Sequence, residues 1–315
     1  MTGKKYPVEL LFFDDKSDQA ESAKLVERLA TLEKVDLILG GFGSDSVFAA
    51  SAITEKYKYP MISGGASSNK LFERGFKYYF STLGKATEEV RGCVEIAEML
   101  NPKPKTAAII GSDVLFTSLA AEGYKSYLKK LNIELVYFEL FPLSLDDYNS
   151  LLFKVKQKNP DMLLVGSHLM VALKVVKALK EVDFMPKMVA FSYGPTVPDF
   201  IKSLGKDAEY VIAAAEWAPN LKYKDAVFGE QWAIEKLGLV PPLKEADRVK
   251  IMEELYKMDV KTVYGRIKFG PDGANVEHPP VAVQVQNGKL VTVFPKEAVE
   301  KPVWYPAKAW KERKQ

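Results

Sequence analysis

"VDLILGGFGSDSVFAASAITEKYKYPMISGGASS", residues 35–68, contains the chain's architecture in miniature. An apolar run, Val35–Leu39, ends in glycines and small hydroxyl residues. An amphipathic stretch follows, and a second apolar run at 59–63 ends in "GGASS". A short, continuously apolar strand suits a parallel sheet covered on both faces, because both sides of the strand are buried. The same unit recurs outward from this segment. "VELLFF" (8–13) leads into "DDKSDQAESAKLVERLATLEK", where Leu25, Leu29 and Leu32 share a helical face. "KTAAIIG" (105–111), "DMLLVGS" (161–167) and "KMVAFSYG" (187–194) each precede another helical pattern. The expectation is a doubly wound α/β arrangement with a parallel sheet.

At 315 residues the chain exceeds one ordinary unit of this kind, so two lobes are expected. The first break is read at "EMLNPKPKTAAII", where Pro102 and Pro104 interrupt a helix before a new strand. A second is read at "EWAPNLKYKD", where the strand–helix rhythm stops. The expected division is lobe 1 at 1–103, lobe 2 at 104–217, a return to lobe 1 at 218–262, and a C-terminal segment at 263–315 crossing back to lobe 2. That last segment holds "VAVQVQNGKLVTVFP", a β-hairpin with Asn287-Gly288 as its tight turn.

Composition excludes several classes. The net charge of +3 with interspersed signs gives no footprint for nucleic acid. No stretch reaches the roughly 20 apolar residues of a membrane span, and no leader-like apolar core precedes a cleavage site. The single cysteine, Cys93, rules out an intramolecular disulfide, and two histidines rule out a His-rich metal site. Cys93 lies on an apolar helical face with Val90, Val94, Ala97 and Leu100, the setting of a buried structural thiol. No metal or cofactor is expected.

In open α/β sheets, ligands bind beyond the carboxyl ends of the strands. Both Gly-Ser turns sit there. Ser44 and Ser67 can act as helix caps, or can present hydroxyls beside free backbone N–H groups to a carboxylate or phosphate. Phe42 and Asp45 flank the first turn, and Asp45 also suits a helix N-terminus electrostatically. "GGFGSD" lacks the third spaced glycine of a dinucleotide fingerprint, and no P-loop lysine follows. No nucleophile elbow occurs; "GASSN" lacks the second glycine. Other strand ends supply Phe116, His168, Tyr193 and Trp217, which describe an apolar wall for a small anion.

The ordered series resembles the type 1 periplasmic binding proteins, in particular the leucine/isoleucine/valine-binding family that serves ABC importers. The resemblance runs through residues 8–80, then "KTAAIIGSD", "DYNSLLFKVKQKNPDMLLVG", "SLGKDAEYVIAAAEWAP" and the "FGPDG…VQVQNGKLVTVFP" ending. It implies two doubly wound lobes joined by hinge strands and closing over a ligand. It also implies a carboxylate site at Ser44, Ala66 and Ser67, an aromatic lid at Phe116, and a second ring position at His168. The acidic residue that receives an amino-acid ammonium in the family aligns with Tyr193, which carries no negative charge at neutral pH. Asp45 and Asp113 are the nearby acids that could substitute. Against the family pattern, a strand and helix ahead of "VELLFF" are absent, and the segment between "FGEQWAIEKLG" and "EADRVKIMEELYKMDVKTVYG" is short.

The resulting expectation is a non-enzymatic, extracytoplasmic solute-binding protein. Its ligand is a branched-chain or aromatic amino acid, or an aromatic or aliphatic acid, and its macromolecular partner is an ABC permease. The expected location is periplasmic or extracellular, without a leader in this chain. No nucleic acid and no membrane insertion are expected, and a homo-oligomer stays open. A cytoplasmic amide or amino-acid sensor on the same fold is the alternative, and a hydrolase ranks behind it.

Overall fold

The computed structural model describes residues 6–217, 229–262 and 265–313. Its strands in chain order are β1 (Ile38–Leu39), β2 (Met61–Ser63), β3 (Tyr79–Ser81), β4 (Thr106–Ser112), β5 (Glu134–Phe141), β6 (Met162–Gly166), β7 (Met188–Phe191), β8 (Val211–Ala215), β9 (Asp259–Thr262), β10 (Gly265–Lys268), β11 (Val281–Gln286) and β12 (Lys289–Phe294). The chain separates into two compact units, Met1–Lys85 with Lys222–His278, and Ala86–Leu221 with Pro279–Gln315.

The second unit is built on a seven-stranded sheet of order β12-β11-β8-β7-β6-β4-β5. The strands β8, β7, β6, β4 and β5 run parallel, whereas β11 and β12 are antiparallel additions. The alternation of strand side chains divides the core into two layers. Ala107, Ile109, Met162, Leu164, Met188 and Ala190 face one layer with Ala120, Tyr124 and Leu128 of the helix Leu115–Lys130. Ala108, Ile110, Leu163, Val165, Val189 and Phe191 face the other, under the helices Tyr148–Lys158 and Leu169–Glu181. Both faces are therefore covered, which is why these strands read as unbroken apolar runs.

The boundary falls at Lys85/Ala86, against the 103/104 read from the prolines. The helical segment at 86–99 buries Val90, Cys93, Val94, Ile96 and Ala97 in the same layer as β4. Burying that apolar face outweighs the punctuation of Pro102 and Pro104. The later crossing falls at His278/Pro279, because Ile267 and Phe269 share a core with Tyr78, Phe80 and Ile251 of the first unit. The changeover read at 216–225 lies mostly outside the described residues.

The hairpin β11–β12 turns at Asn287 (φ 54°) and Gly288 (φ 69°), the two left-handed residues of a type I′ turn. Glu209 accepts both turn N–H groups, at 2.8 and 2.6 Å. Gln284 and Gln286, polar in an alternating strand, are nonetheless buried. Their side-chain amides bond to the carbonyls of Trp304 and Pro302 in the tail, at 3.1 and 2.9 Å.

The first unit carries a three-stranded parallel sheet, β1-β2-β3, and a separate antiparallel pair, β9 and β10. "VELLFF" does not form the expected strand. Val8, Leu10 and Phe12 are 93%, 75% and 84% exposed and belong to no ladder. β-propensity becomes a strand only where a neighbour completes the ladder, and among the described residues none does so here. The helix after it, Gln19–Thr31, forms as read, with the Asp18 carboxylate accepting from Glu21 N at 2.8 Å.

Cys93 is fully buried, and burial pushes its thiol up to about 12. In the native protein at pH 8, a thiol reagent is expected to modify it at least roughly 100-fold more slowly than in urea. Comparable rates in the two states would show that the helical segment at 86–99 is not packed as described.

Candidate functional site

In the second unit the chain leaves β4 toward β5 on one side and reaches β6 on the other. The strand order therefore reverses between β4 and β6, and the crevice beyond their carboxyl ends is the position such sheets use for ligands. Gly111 pairs with Gly166 at that end. A Cβ on Gly166 would stand 2.5 Å from the Thr117 carbonyl oxygen, so only glycine lets the helix Leu115–Lys130 start this close to β6. The Thr117 hydroxyl donates to the Ser112 carbonyl and fixes the turn.

This packing gathers the rings. Phe116, in the first turn of that helix, lies 5.4 Å from His168 between ring centroids. His168, which precedes the helix Leu169–Glu181, lies 6.1 Å from the Tyr193 ring in an edge-on arrangement. The loops after β6 and β7 are held together by serines the sequence did not single out. Ser167 N donates to Ser192 Oγ at 2.9 Å, and Ser167 Oγ donates to the Tyr193 carbonyl at 2.7 Å. Trp217, two residues past β8, is 38% exposed.

Glu216 is the group that sequence reasoning missed. Phe191 of β7 pairs with Ala213 of β8, so Tyr193 and Ala215 keep step just beyond the ladder, with Glu216 next. Burial pushes the Glu216 carboxyl up to about 7. Burial first, and then the charge of Glu216, raise the Tyr193 phenol. The available signal was "VIAAAEW": an acid placed directly after an all-apolar strand, at the ligand end of the sheet. Asp113 is instead exposed.

In the first unit the two Gly-Ser turns meet side by side. Phe42 bridges Gly65 in parallel fashion, and Gly43 N donates to the Gly65 carbonyl at 2.9 Å. Ser44 is buried, and its Oγ accepts from the backbone N–H groups of Ser67 (3.3 Å) and Ser68 (3.1 Å). Its hydroxyl thus ties one turn to the other, a role that neither capping nor ligand contact alone anticipates. Ser67 and Ala66 are also buried, and the Ala66 carbonyl accepts from the hydroxyls of Tyr79 (3.2 Å) and Ser81 (3.1 Å). Phe42 is exposed, and Asp45 lies half-buried in the first turn of the helix Ser44–Tyr57.

Three helices that follow strand ends, Ser44–Tyr57, Leu115–Lys130 and Leu169–Glu181, start without a side-chain cap. Elsewhere Asp18 and Asp147 cap helix starts. Uncapped N-termini leave backbone N–H groups and the positive end of the dipole available to an anion. A cavity of about 400 Å³ lies at the opposite, amino end of β6 and β7, lined by Asp161, Lys187 and Trp310. Two of its charged groups are paired with each other, Lys187 sitting 2.7 Å from Asp161. Among the described residues no cluster of three metal-ligating side chains occurs, and no helix is long and apolar enough to cross a membrane.

A family model for periplasmic binding proteins matches residues 1–233. The chain belongs to that family. Leu/Ile/Val-binding protein homolog 7 of Brucella abortus (strain 2308) is 24% identical over 93% of this chain and 82% of its own length. An extracellular ligand-binding receptor from Rhodopseudomonas palustris HaA2 superposes with a TM-score of 0.79 at 21% identity, covering 92% of this chain and 90% of the other. The branched-chain amino acid transporter substrate binding protein LivJ from Streptococcus pneumoniae, solved in complex with isoleucine, gives 0.69 at 21% identity, covering 90% and 85%. The fold is that of the type 1 periplasmic binding proteins, as the ordered motifs implied. By name, the relative is a Leu/Ile/Val-binding protein homologue, and the two neighbours are a ligand-binding receptor and a substrate binding protein.

The Glu216 carboxyl holds its proton more tightly folded than unfolded, so stability falls as pH rises from the ordinary 4.5 through about 7. Glu216→Gln is therefore expected to raise the melting temperature at pH 8, by a stability gain of at most roughly 3 kcal/mol. The gain should vanish near pH 4. An equal effect at both pH values would place Glu216 in water rather than in the sheet end.

Proposed function

We propose that the protein is the extracytoplasmic solute receptor of an ABC importer, and that it binds a small carboxylate bearing an apolar group. The observation that carries this is the crevice at the reversal between β4 and β6, where Phe116, His168 and Tyr193 form a ring cluster beside uncapped helix starts. The rings offer an apolar wall, and the uncapped N–H groups suit an anion. In the first unit the paired turns of Ser44, Ala66 and Ser67 are assigned to the ligand carboxylate. The Ser44 hydroxyl, which accepts from two N–H groups, still has its own proton to donate. Phe42 and Asp45 flank those turns, and Trp217 flanks the ring cluster. In this proposal a membrane permease reads the liganded form. No catalytic step is assigned.

A thermal titration tests this. Leucine, isoleucine, valine, phenylalanine, benzoate and hydroxybenzoates form the panel. A ligand that binds only the folded state raises the melting temperature with concentration, adding about 2.7 kcal/mol at 100 times its Kd. Phe116→Ala and Ser67→Ala, on different units, are each expected to weaken the same ligand by roughly 1 kcal/mol or more. Ser44→Ala should also lower the melting temperature of the unliganded protein, since two N–H groups lose their acceptor. If the whole panel leaves the melting temperature unmoved, the assignment to small carboxylates fails.

A further inference from the structure

We propose that Asn287 is a site of slow covalent modification, in which its side-chain amide becomes an acid through a cyclic imide. Glu209 is the positioning residue that holds this conversion back in the folded protein. Neither residue belongs to the ligand end of the sheet. β11 runs antiparallel to β8, with Val281 opposite Ala215 and Gln284 opposite Ile212, so the turn after Gln286 lies at the amino end.

The sequence holds one Asn-Gly pair. Asn287 is exposed, and among the described residues its side-chain amide bonds to no group. Gly288 has no side chain to crowd its nitrogen, and a Cβ there would meet nothing within 4 Å. In the conversion the Gly288 nitrogen attacks Cγ of Asn287. A bond between that nitrogen and Cγ forms, the bond from Cγ to Nδ2 breaks, and Nδ2 leaves as ammonia, carrying off the Gly288 N–H proton. Water then opens the imide at either carbonyl, giving aspartate or its isomer with an extra methylene in the main chain. No oxidant, reductant or further reactant is needed.

Glu209 opposes the first step. Its two carboxylate oxygens accept from the N–H groups of Asn287 (2.8 Å) and Gly288 (2.6 Å). To reach Cγ, the Gly288 nitrogen must turn about the bond from Cα to the carbonyl carbon of Asn287, which carries its N–H away from Glu209. The step therefore costs a hydrogen bond to a carboxylate, one of the stronger kind. The hairpin itself sets Glu209 in place. The next residue, Tyr210, holds φ at 69°, uncommon for a bulky side chain. Two bonds to β11 keep it there: Tyr210 N donates to the Val285 carbonyl at 3.0 Å, and its own carbonyl accepts from Gln284 Nε2 at 3.2 Å. β11 thus fixes the acid that clamps its own turn. The consequence of conversion extends past the turn, because Gln286, the residue before the pair, holds the tail through the Pro302 carbonyl at 2.9 Å.

Peptide mapping by mass spectrometry, after incubation at pH 8, reads conversion as the amide-to-acid mass gain at Asn287. The folded parent is expected to convert at least roughly tenfold more slowly than the same chain in guanidinium chloride. Glu209→Ala should convert roughly tenfold faster than the parent when folded, and like the parent when unfolded. Glu209→Gln, which keeps one acceptor oxygen, should fall between them. Gln286→Ala loosens the tail but leaves both clamp bonds, so it should convert like the parent. Circular dichroism identifies the variants that are folded during incubation, and Glu209→Gln carries the comparison if Glu209→Ala is not. The role of Glu209 is overturned if the folded parent converts as fast as the unfolded chain. It is overturned equally if the folded Glu209 variants keep the parent's rate, or if Gln286→Ala accelerates conversion as much as they do. If Asn287 converts in neither state, the modification site itself is overturned.

Discussion

The close approach of Gly111, Gly166 and Thr117 is the constraint on which the ligand end of the second unit depends. Two parallel strands end on facing glycines, and the helix that follows the first strand starts directly over the second. Any side chain at Gly166 would push that helix outward and move Phe116 away from His168. Because Ser167 and Ser192 then tie the β6 loop to the β7 loop, Tyr193 follows the same placement. A contact between backbone atoms thus sets the spacing of three rings that share no sequence neighbourhood.

A comparable economy governs the first unit. Ser44 lies at the start of a helix, and its oxygen satisfies two N–H groups of a turn 23 and 24 residues away. One hydroxyl at the start of that helix therefore fixes how the next turn is aimed. The oxygen neither caps its own helix nor is spent on a distant partner alone: it ties the two turns together, and its own proton remains to be donated.

The two half-buried acids of the large sheet show what partners do to a charge. Asp161, at the amino end of β6, is surrounded by donors and stays ionised well into the acid range. Glu216, at the carboxyl end of β8, has burial as its dominant influence and titrates near neutrality. The first is a fastening between β6, the start of β4 and the segment before β7. Of these two acids, the one matched by donors lies at the amino end of the sheet, and the other stands at the end where such folds take ligands.

By itself the sequence determined the alternation of strands and helices, because continuous apolar runs and helical spacing are local properties that burial on both faces enforces. It also determined the Asn287-Gly288 turn, whose left-handed backbone few other residue pairs adopt, and the burial of Cys93, which follows from its apolar helical face. Tertiary structure alone decided the rest. "VELLFF" has the composition of a strand, yet a strand is a relation between chain segments, and among the described residues no ladder completes it. Gln284 and Gln286 occupy alternating polar positions but are buried, because a tail 16 and 20 residues downstream supplies their acceptors. The prolines at 102 and 104 marked a break in the helix, not in the core, since the core is set by which apolar faces meet. Glu216 went unnoticed for the same reason: its burial is set by how the chain packs around the end of β8, and that is not written in the strand alone.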